Sequence, residues 1–260
     1  MFRKTMGCVL AAAFMAGAAN AEGPVGGRVE TKVASMYEWN GFNRVELAGL
    51  ENGPVVQPRV MARLGESGLG VSAAGSFVMN DNREMHEAIY GVFVEHSASP
   101  VADVSIGYNY YDNRVSEIAG VPVPDLNTHE IWGTIEVKNT VGIRPTATYR
   151  HEKSSSESHE GYTVLIAGLK HSMPMRVPSV AGGVGVEVSW SSNVVYNSGV
   201  RANNVQVVKR GVSAVQFGLE TPVHAGPLMV TPTANYQLSI EDTVSRDNEF
   251  WASLAVAYGF

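Results

Sequence analysis

The sequence predicts an all-β fold, a transmembrane antiparallel up-and-down β-barrel of twelve strands, and three observations carry that expectation. The eleven residues from Phe250 to Phe260 alternate up to a final aromatic. The first 21 residues have the make-up of a secretory leader. Between these ends, short connections rich in Gly, Pro, Ser or Asn take turns with long polar ones.

In the last segment Phe250, Ala252, Leu254, Val256, Tyr258 and Phe260 share one face of an extended strand, against Trp251, Ser253, Ala255, Ala257 and Gly259, because successive side chains point to opposite sides of a pleat. One side suits lipid. At the other end, Arg3 and Lys4 form a basic n-region, Gly7 to Ala18 an apolar h-region, and Ala19, Asn20 and Ala21 an A-x-A cleavage site. The predicted division is therefore a leader over 1–21 and one barrel domain over 22–260. The apolar run is too short for a spanning helix, which needs about 20 residues. Cys8 is the only cysteine and lies in the leader, so no disulfide is expected in the exported chain.

The formal net charge of −6 becomes −8 without Arg3 and Lys4, which argues against a nucleic-acid partner needing a basic face. Past the leader no apolar run is long enough for a membrane helix. A spanning chain must then close its backbone hydrogen bonds in a barrel.

Period-2 alternation bounded by turn residues places the strands near 28–39, 55–64, 69–79, 87–96, 102–111, 128–138, 142–150, 161–171, 181–191, 211–221, 228–240 and 249–260. The even number agrees with the rule for bacterial single-chain barrels. The faces separate cleanly in several strands. In the seventh, Ile143, Pro145, Ala147 and Tyr149 oppose Arg144, Thr146, Thr148 and Arg150. In the ninth, Val184, Val186, Val188 and Trp190 oppose Gly183, Gly185, Glu187, Ser189 and Ser191. In the eleventh, Leu228, Val230, Pro232, Ala234, Tyr236 and Leu238 oppose Thr231, Thr233, Asn235, Gln237 and Ser239. An Arg facing lipid at the midplane costs about 2–4 kcal/mol, so the polar faces are assigned to the interior. Tyr37, Trp39, Tyr108, Tyr110, Tyr149, Trp190, Tyr236, Phe250 and Tyr258 then fall on the outer face near strand ends, where aromatic girdles sit.

The short connections are 65–68, 97–101, 139–141, 172–180 and 222–227, and the long ones 40–54, 80–86, 112–127, 151–160, 192–210 and 241–248. Short periplasmic turns and long outer loops are the pattern of this class. Pro58, Pro145 and Pro232 lie inside strands, and local bulges are expected there because proline removes a ladder donor.

The interior set mixes both signs: Glu30, Lys32, Glu38, Arg59, Arg63, Glu95, Asp103, Glu130, Glu136, Arg144, Arg150, Glu187 and Glu220. The turn 139–141 predicts a register in which Glu136 directly opposes Arg144 and Glu130 opposes Arg150. Twelve strands are intermediate between barrels filled by side chains and barrels with a wide aqueous channel. Arg59, Arg63, Glu130, Glu136, Arg144, Arg150, Glu187 and Glu220 are the expected lumen-lining residues of a narrow passive pore or binding barrel for small polar solutes. A sealed barrel acting through its outer loops is the alternative, and a rim hydrolase a more remote one.

No catalytic, cofactor or metal site is expected. His151, Glu152, Glu157, His159 and Glu160 cluster with Ser154, Ser155, Ser156 and Ser158, without a tight metal-ligand spacing. The chain also carries Tyr37-Glu38-Trp39-Asn40-Gly41 after strand one, Pro54-Val55-Val56-Gln57-Pro58 entering strand two, and Asp247, Asn248 and Trp251 before the final Phe260. In these motifs it resembles a group of bacterial outer-membrane β-barrels to which no chemistry is tied. The resemblance implies the fold and an outer-membrane location. The expected partners are outer-membrane lipid, the barrel-assembly machinery through the strand ending in Phe260, and a small polar solute, with the barrel itself monomeric.

Overall fold

Strands in which every second residue is apolar bury nothing against one another, so such a sheet needs a closed circuit for its edges and a solvent for its apolar face. The computed structural model supplies the circuit. It describes residues 25–36, 38–39, 42–43, 53–79, 87–113, 117–118, 121–122, 127–138, 142–154, 161–175, 184–202, 205–242 and 247–260. The expected leader and its cleavage point lie outside them.

Twelve wall strands follow one another around the ring: β1 (Val25–Ala34), β2 (Val55–Leu64), β3 (Leu69–Val78), β4 (Glu87–Ser99), β5 (Ala102–Asn113) and β6 (Thr128–Val137), then β7 (Ile143–Ser154), β8 (Tyr162–Met175), β9 (Val184–Asn197), β10 (Gly211–Glu220, resuming as Val223–Ala225), β11 (Leu228–Ser239) and β12 (Glu249–Gly259). Every neighbour is antiparallel, and β1 pairs with β12 to shut the ring. At that seam Gly27 N–H donates to Phe260 O at 2.8 Å and Phe260 N–H to Gly27 O at 3.0 Å. Short two-stranded ribbons, Glu38–Trp39 with Phe42–Asn43 and Val200–Ala202 with Val205–Val208, stand at the long-loop end.

The outer surface is the predicted apolar band. Val92, Ile106, Ile131, Leu165, Leu169, Phe217, Leu219, Leu254 and Val256 are exposed, with Tyr236 and Tyr258 nearer the strand ends and Phe250 68% exposed; Tyr108, Tyr149 and Trp190, expected near strand ends, are exposed at mid-strand. Exposed apolar area on this scale is unusual in water and ordinary in hydrocarbon. No described helix is long and apolar enough to cross a membrane.

Several sequence expectations are corrected. β1 lies at Val25–Ala34 rather than 28–39, so Trp39 belongs to a ribbon and not to the wall of strand one; Tyr37 lies outside the described residues. β8 and β9 are 14 residues long and overrun their predicted limits into the neighbouring loops. The prolines make no bulges. Between β2 and β3 the ladder stops after Val56↔Phe77 and resumes in the same register at Arg59↔Ala74, skipping Pro58. Pro145 stands just beyond the last β6–β7 pair, Glu136↔Thr146, and Pro232 faces the break at Thr221 and Pro222 in β10. Opening a ladder locally accommodates a missing N–H with less distortion than inserting a residue. The register shifts fall elsewhere, at Val195/Tyr196 and at His96/Ser99.

Glycines on the wall face aromatic partners across the ladder. Phe93 lies over Gly70, and Trp132 over Gly107. The ring covers backbone that glycine leaves bare, a recurrent stabilising device in sheets. Gly68 has a stricter role, since it turns the chain between β2 and β3 with φ +71° and any Cβ there would collide with the Glu95 carbonyl. Gly226 turns between β10 and β11 with φ +59° but faces open space. Replacing Gly68 by Ala is therefore expected to lower barrel stability by about 1–3 kcal/mol. Gly226→Ala should cost less, the order being read from denaturant unfolding in detergent micelles.

Candidate lumen site

The inner face is polar, and its residues divide along the barrel axis. Toward the long-loop end the side chains are buried. Val55, Val195, Asn197, Gln237 and Glu130 have essentially no exposed surface. Val164, Val195, Val208 and Ala214 form an apolar cluster there, with Tyr162 and Ile166 against it. Val208 comes from the ribbon that follows β9, so this part of the loop folds onto the inner wall rather than away from it. The chain leaving β1 does the same: Met36 is buried, and Glu38 accepts a hydrogen bond from Gln216 Nε2 at 3.1 Å. Gln216 also donates to Gln237 at 2.8 Å.

Glu130 is the most deeply placed charge, 0% exposed. Its carboxylate accepts from Asn109 at 2.8 Å, from Tyr111 at 3.1 Å and from Arg150 at 3.1 and 3.2 Å. A buried carboxylate is tolerable only with such a full set of donors. Around it, Glu152 accepts from Tyr162 at 3.1 Å and Gln57 donates to Ser76 at 3.1 Å.

Toward the short-turn end the inner charges are wetter and paired. Arg144 donates to Glu136 at 3.0 Å and to Ser172 at 3.0 Å; Ser172 meets Ser189 at 2.8 Å, and Ser189 donates to Glu187 at 3.0 Å. Lys138 meets Asp103 at 2.6 Å, and Lys170 stands 3.9 Å from Glu220. Arg28 pairs with Glu30, and Arg63 with Glu95, the last two 59% and 41% exposed. Arg59 is exposed and has neither an ion pair nor a hydrogen bond among the described residues. It feels the charges of Glu30 and Arg28 beside it and of Arg150 on β7, five strands away around the ring.

The predicted pairs of β6 and β7 form, but in another register. Glu136 is level with Thr146, and Arg150 with Trp132, so each ion pair is diagonal rather than directly opposed. Gly142 turns with φ +79° and Pro145 ends the ladder at Thr146, which sets the strands two residues from the expected alignment. The parity is preserved, and a diagonal partner is within reach of long side chains. Of the eight predicted lining residues, Glu130, Glu136, Arg144 and Arg150 are joined in these two pairs; Arg63, Glu187 and Glu220 have other partners, and Arg59 none among the described residues. Sequence reasoning placed Gln237 on the inner face but missed Arg28, Lys170 and Gln216. For Lys170 the signal was available in Leu165 and Leu169, which fix the outer face of β8, but Val164 and Ile166 made the inner face look apolar too.

The His and Glu residues grouped in the loop 151–160 are divided: His151 and Glu152 belong to β7 rather than to a loop, while Glu157, His159 and Glu160 lie outside the described residues. His151 Nδ1 lies 3.0 Å from Thr163 Oγ1. No group of metal-ligating side chains occurs among the described residues.

Solved structures share this architecture. LpxR from Salmonella typhimurium aligns with a TM-score of 0.52 at 9% identity, over 89% of this chain and 99% of that one. The KdgM porin gives 0.53 at 8% identity over 90% and 99%, and the NanC porin 0.52 at 7% over 88% and 98%. The fold is that of a bacterial outer-membrane barrel. At these identities the likeness carries architecture and no chemistry. No protein-family profile and no curated protein matches the sequence.

Replacing Arg150 by Leu would leave Glu130 buried without its cation, and the expected loss of stability is about 3–5 kcal/mol. Changing both Arg150 and Glu130 to Leu should recover most of that loss. Guanidinium unfolding of the detergent-folded barrel, monitored by Trp fluorescence, gives both values.

Proposed function

We propose that the barrel is a narrow passive pore or binding barrel for small polar solutes, without a catalytic role, lined by Arg59, Arg63, Glu130, Glu136, Arg144, Arg150, Glu187 and Glu220. The observation that carries this reading is Arg59, an exposed inner-face residue of a closed ring with neither an ion pair nor a hydrogen bond among the described residues. A lumen whose only task was to be filled would neutralise such a group, as the neighbouring pairs neutralise theirs. The paired charges of both signs give a polar path with little net field, which suits small polar solutes better than ions of one sign. In this reading the chain also belongs to the motif-defined group it resembles, sits in the outer membrane as a monomer, and reaches it by the assembly machinery through the strand ending in Phe260.

A second reading, a barrel sealed at its outer mouth and acting through its loops, draws on the Glu38–Gln216–Gln237 hydrogen bonds and the dry cluster around Val208. In the preferred reading these contacts are a latch: breaking them widens the mouth.

Planar-bilayer recording of the full exported chain separates the two. Small ohmic channels are expected from the wild type, a larger open fraction from Glu38→Ala, and a several-fold shift toward cations in the permeability ratio for Arg59→Glu. Silence from folded wild type and from folded Glu38→Ala alike would overturn the pore.

A further inference from the structure

Among the lumen charges, Lys170 and Glu220 form an unusual couple. The pairs Arg144–Glu136, Arg150–Glu130 and Lys138–Asp103 are in hydrogen-bond contact at 2.6 to 3.1 Å, whereas Lys170 Nζ is 3.9 Å from Glu220 Oε2. At that separation the charges attract but do not satisfy each other's donors and acceptors. A cavity of about 170 Å³ opens beside them in the wall of β7 to β10, lined further by Thr146, Ser189, Trp190, Ser191 and Asn193. β8 and β10 carry glycine on the inner face nearby. At Gly168 the space of a side chain is taken by the Asn193 amide oxygen, and at Gly218 the Ser191 hydroxyl lies 2.7 Å from where a Cβ would be. These groups lean over bare backbone, which holds Asn193 and Ser191 in the cavity wall. The adjoining Arg144 and Glu187 are engaged with Glu136, Ser172 and Ser189.

We infer that this cavity is a binding subsite for a small zwitterion of the α-amino-acid type, its carboxylate on Lys170 and its ammonium on Glu220. The inference rests on the reading of the lumen as a place for small polar solutes. A cation and an anion held slightly apart are complemented by a molecule whose own opposite charges are separated by one carbon. A simple anion would meet the field of Glu220 and Glu187, a simple cation that of Lys170 and Arg144, and a neutral sugar would desolvate both charges without replacing their water by a charged partner. The volume is of the order of the ~150 Å³ cavities known to hold one small molecule.

Isothermal titration of the detergent-folded full chain with L-serine tests this, with D-glucose, sodium acetate and methylammonium chloride as controls. Saturable binding of L-serine alone is expected. Lys170→Met and Glu220→Gln should each weaken it by about tenfold or more, as loss of a charged hydrogen bond does. The exchanged variant Lys170→Glu with Glu220→Lys should stay within a few-fold of wild type. Absence of L-serine binding by folded wild type, equal binding of acetate, or indifference to both single variants overturns the subsite. D-glucose entry into proteoliposomes reports on the lumen separately: uptake of glucose without serine binding rejects only this inference, and neither uptake nor binding rejects the solute-handling lumen as well.

Discussion

Hydrocarbon offers no hydrogen bonds, and this constraint decides most of what the chain does. Every backbone N–H and C=O in the band must find its partner on a neighbouring strand, so the sheet has to return to its first strand. The β1–β12 seam, with its reciprocal Gly27–Phe260 hydrogen bonds, is where that requirement is met. Once the ring is shut, the two faces have different solvents, and each residue's place follows from parity. The same constraint governs the prolines. Pro58, Pro145 and Pro232 are accommodated where a ladder is already open, which keeps the register of the flanking strands continuous.

The interior is organised by the cost of removing charge from water. At the long-loop end, where side chains are dry, the fully buried Glu130 is held by several donors, Asn109, Tyr111 and Arg150. At the short-turn end the charges are wet, and single ion pairs suffice. Arg59 lies between these regimes. Its strand neighbour Glu30 is engaged by Arg28, and Arg150 opposite is engaged by Glu130, so both of the nearby pairs leave it to water.

Much of this was legible in the sequence, for a physical reason: lipid on one side and water on the other impose a strict period of two, and Leu165, Leu169, Tyr236 and Leu238 report it directly. Parity also sufficed to bring Glu136 toward Arg144 and Glu130 toward Arg150. Register did not follow, because it depends on the backbone of the turn around Gly142 and on where Pro145 ends the ladder. The upper limit of β1 was misplaced because alternation continues through Met36 and Glu38 after the wall has ended; both still turn inward, now as part of a loop. The cluster of Val164, Val195 and Val208 was invisible for the opposite reason. Apolar residues on an inner face contradict the pattern unless a loop returns to cover them, and that return is a tertiary event.

The uneven distribution of dry and wet side chains bears on rate rather than direction. In the pore reading, the contacts of Glu38 with Gln216 and of Val208 with its apolar neighbours narrow the lumen near the long loops, so that solute meets its tightest passage on that side. A constriction of this kind sets how fast solute crosses and never in which direction, because a barrel with no energy source of its own passes equal traffic both ways at equilibrium.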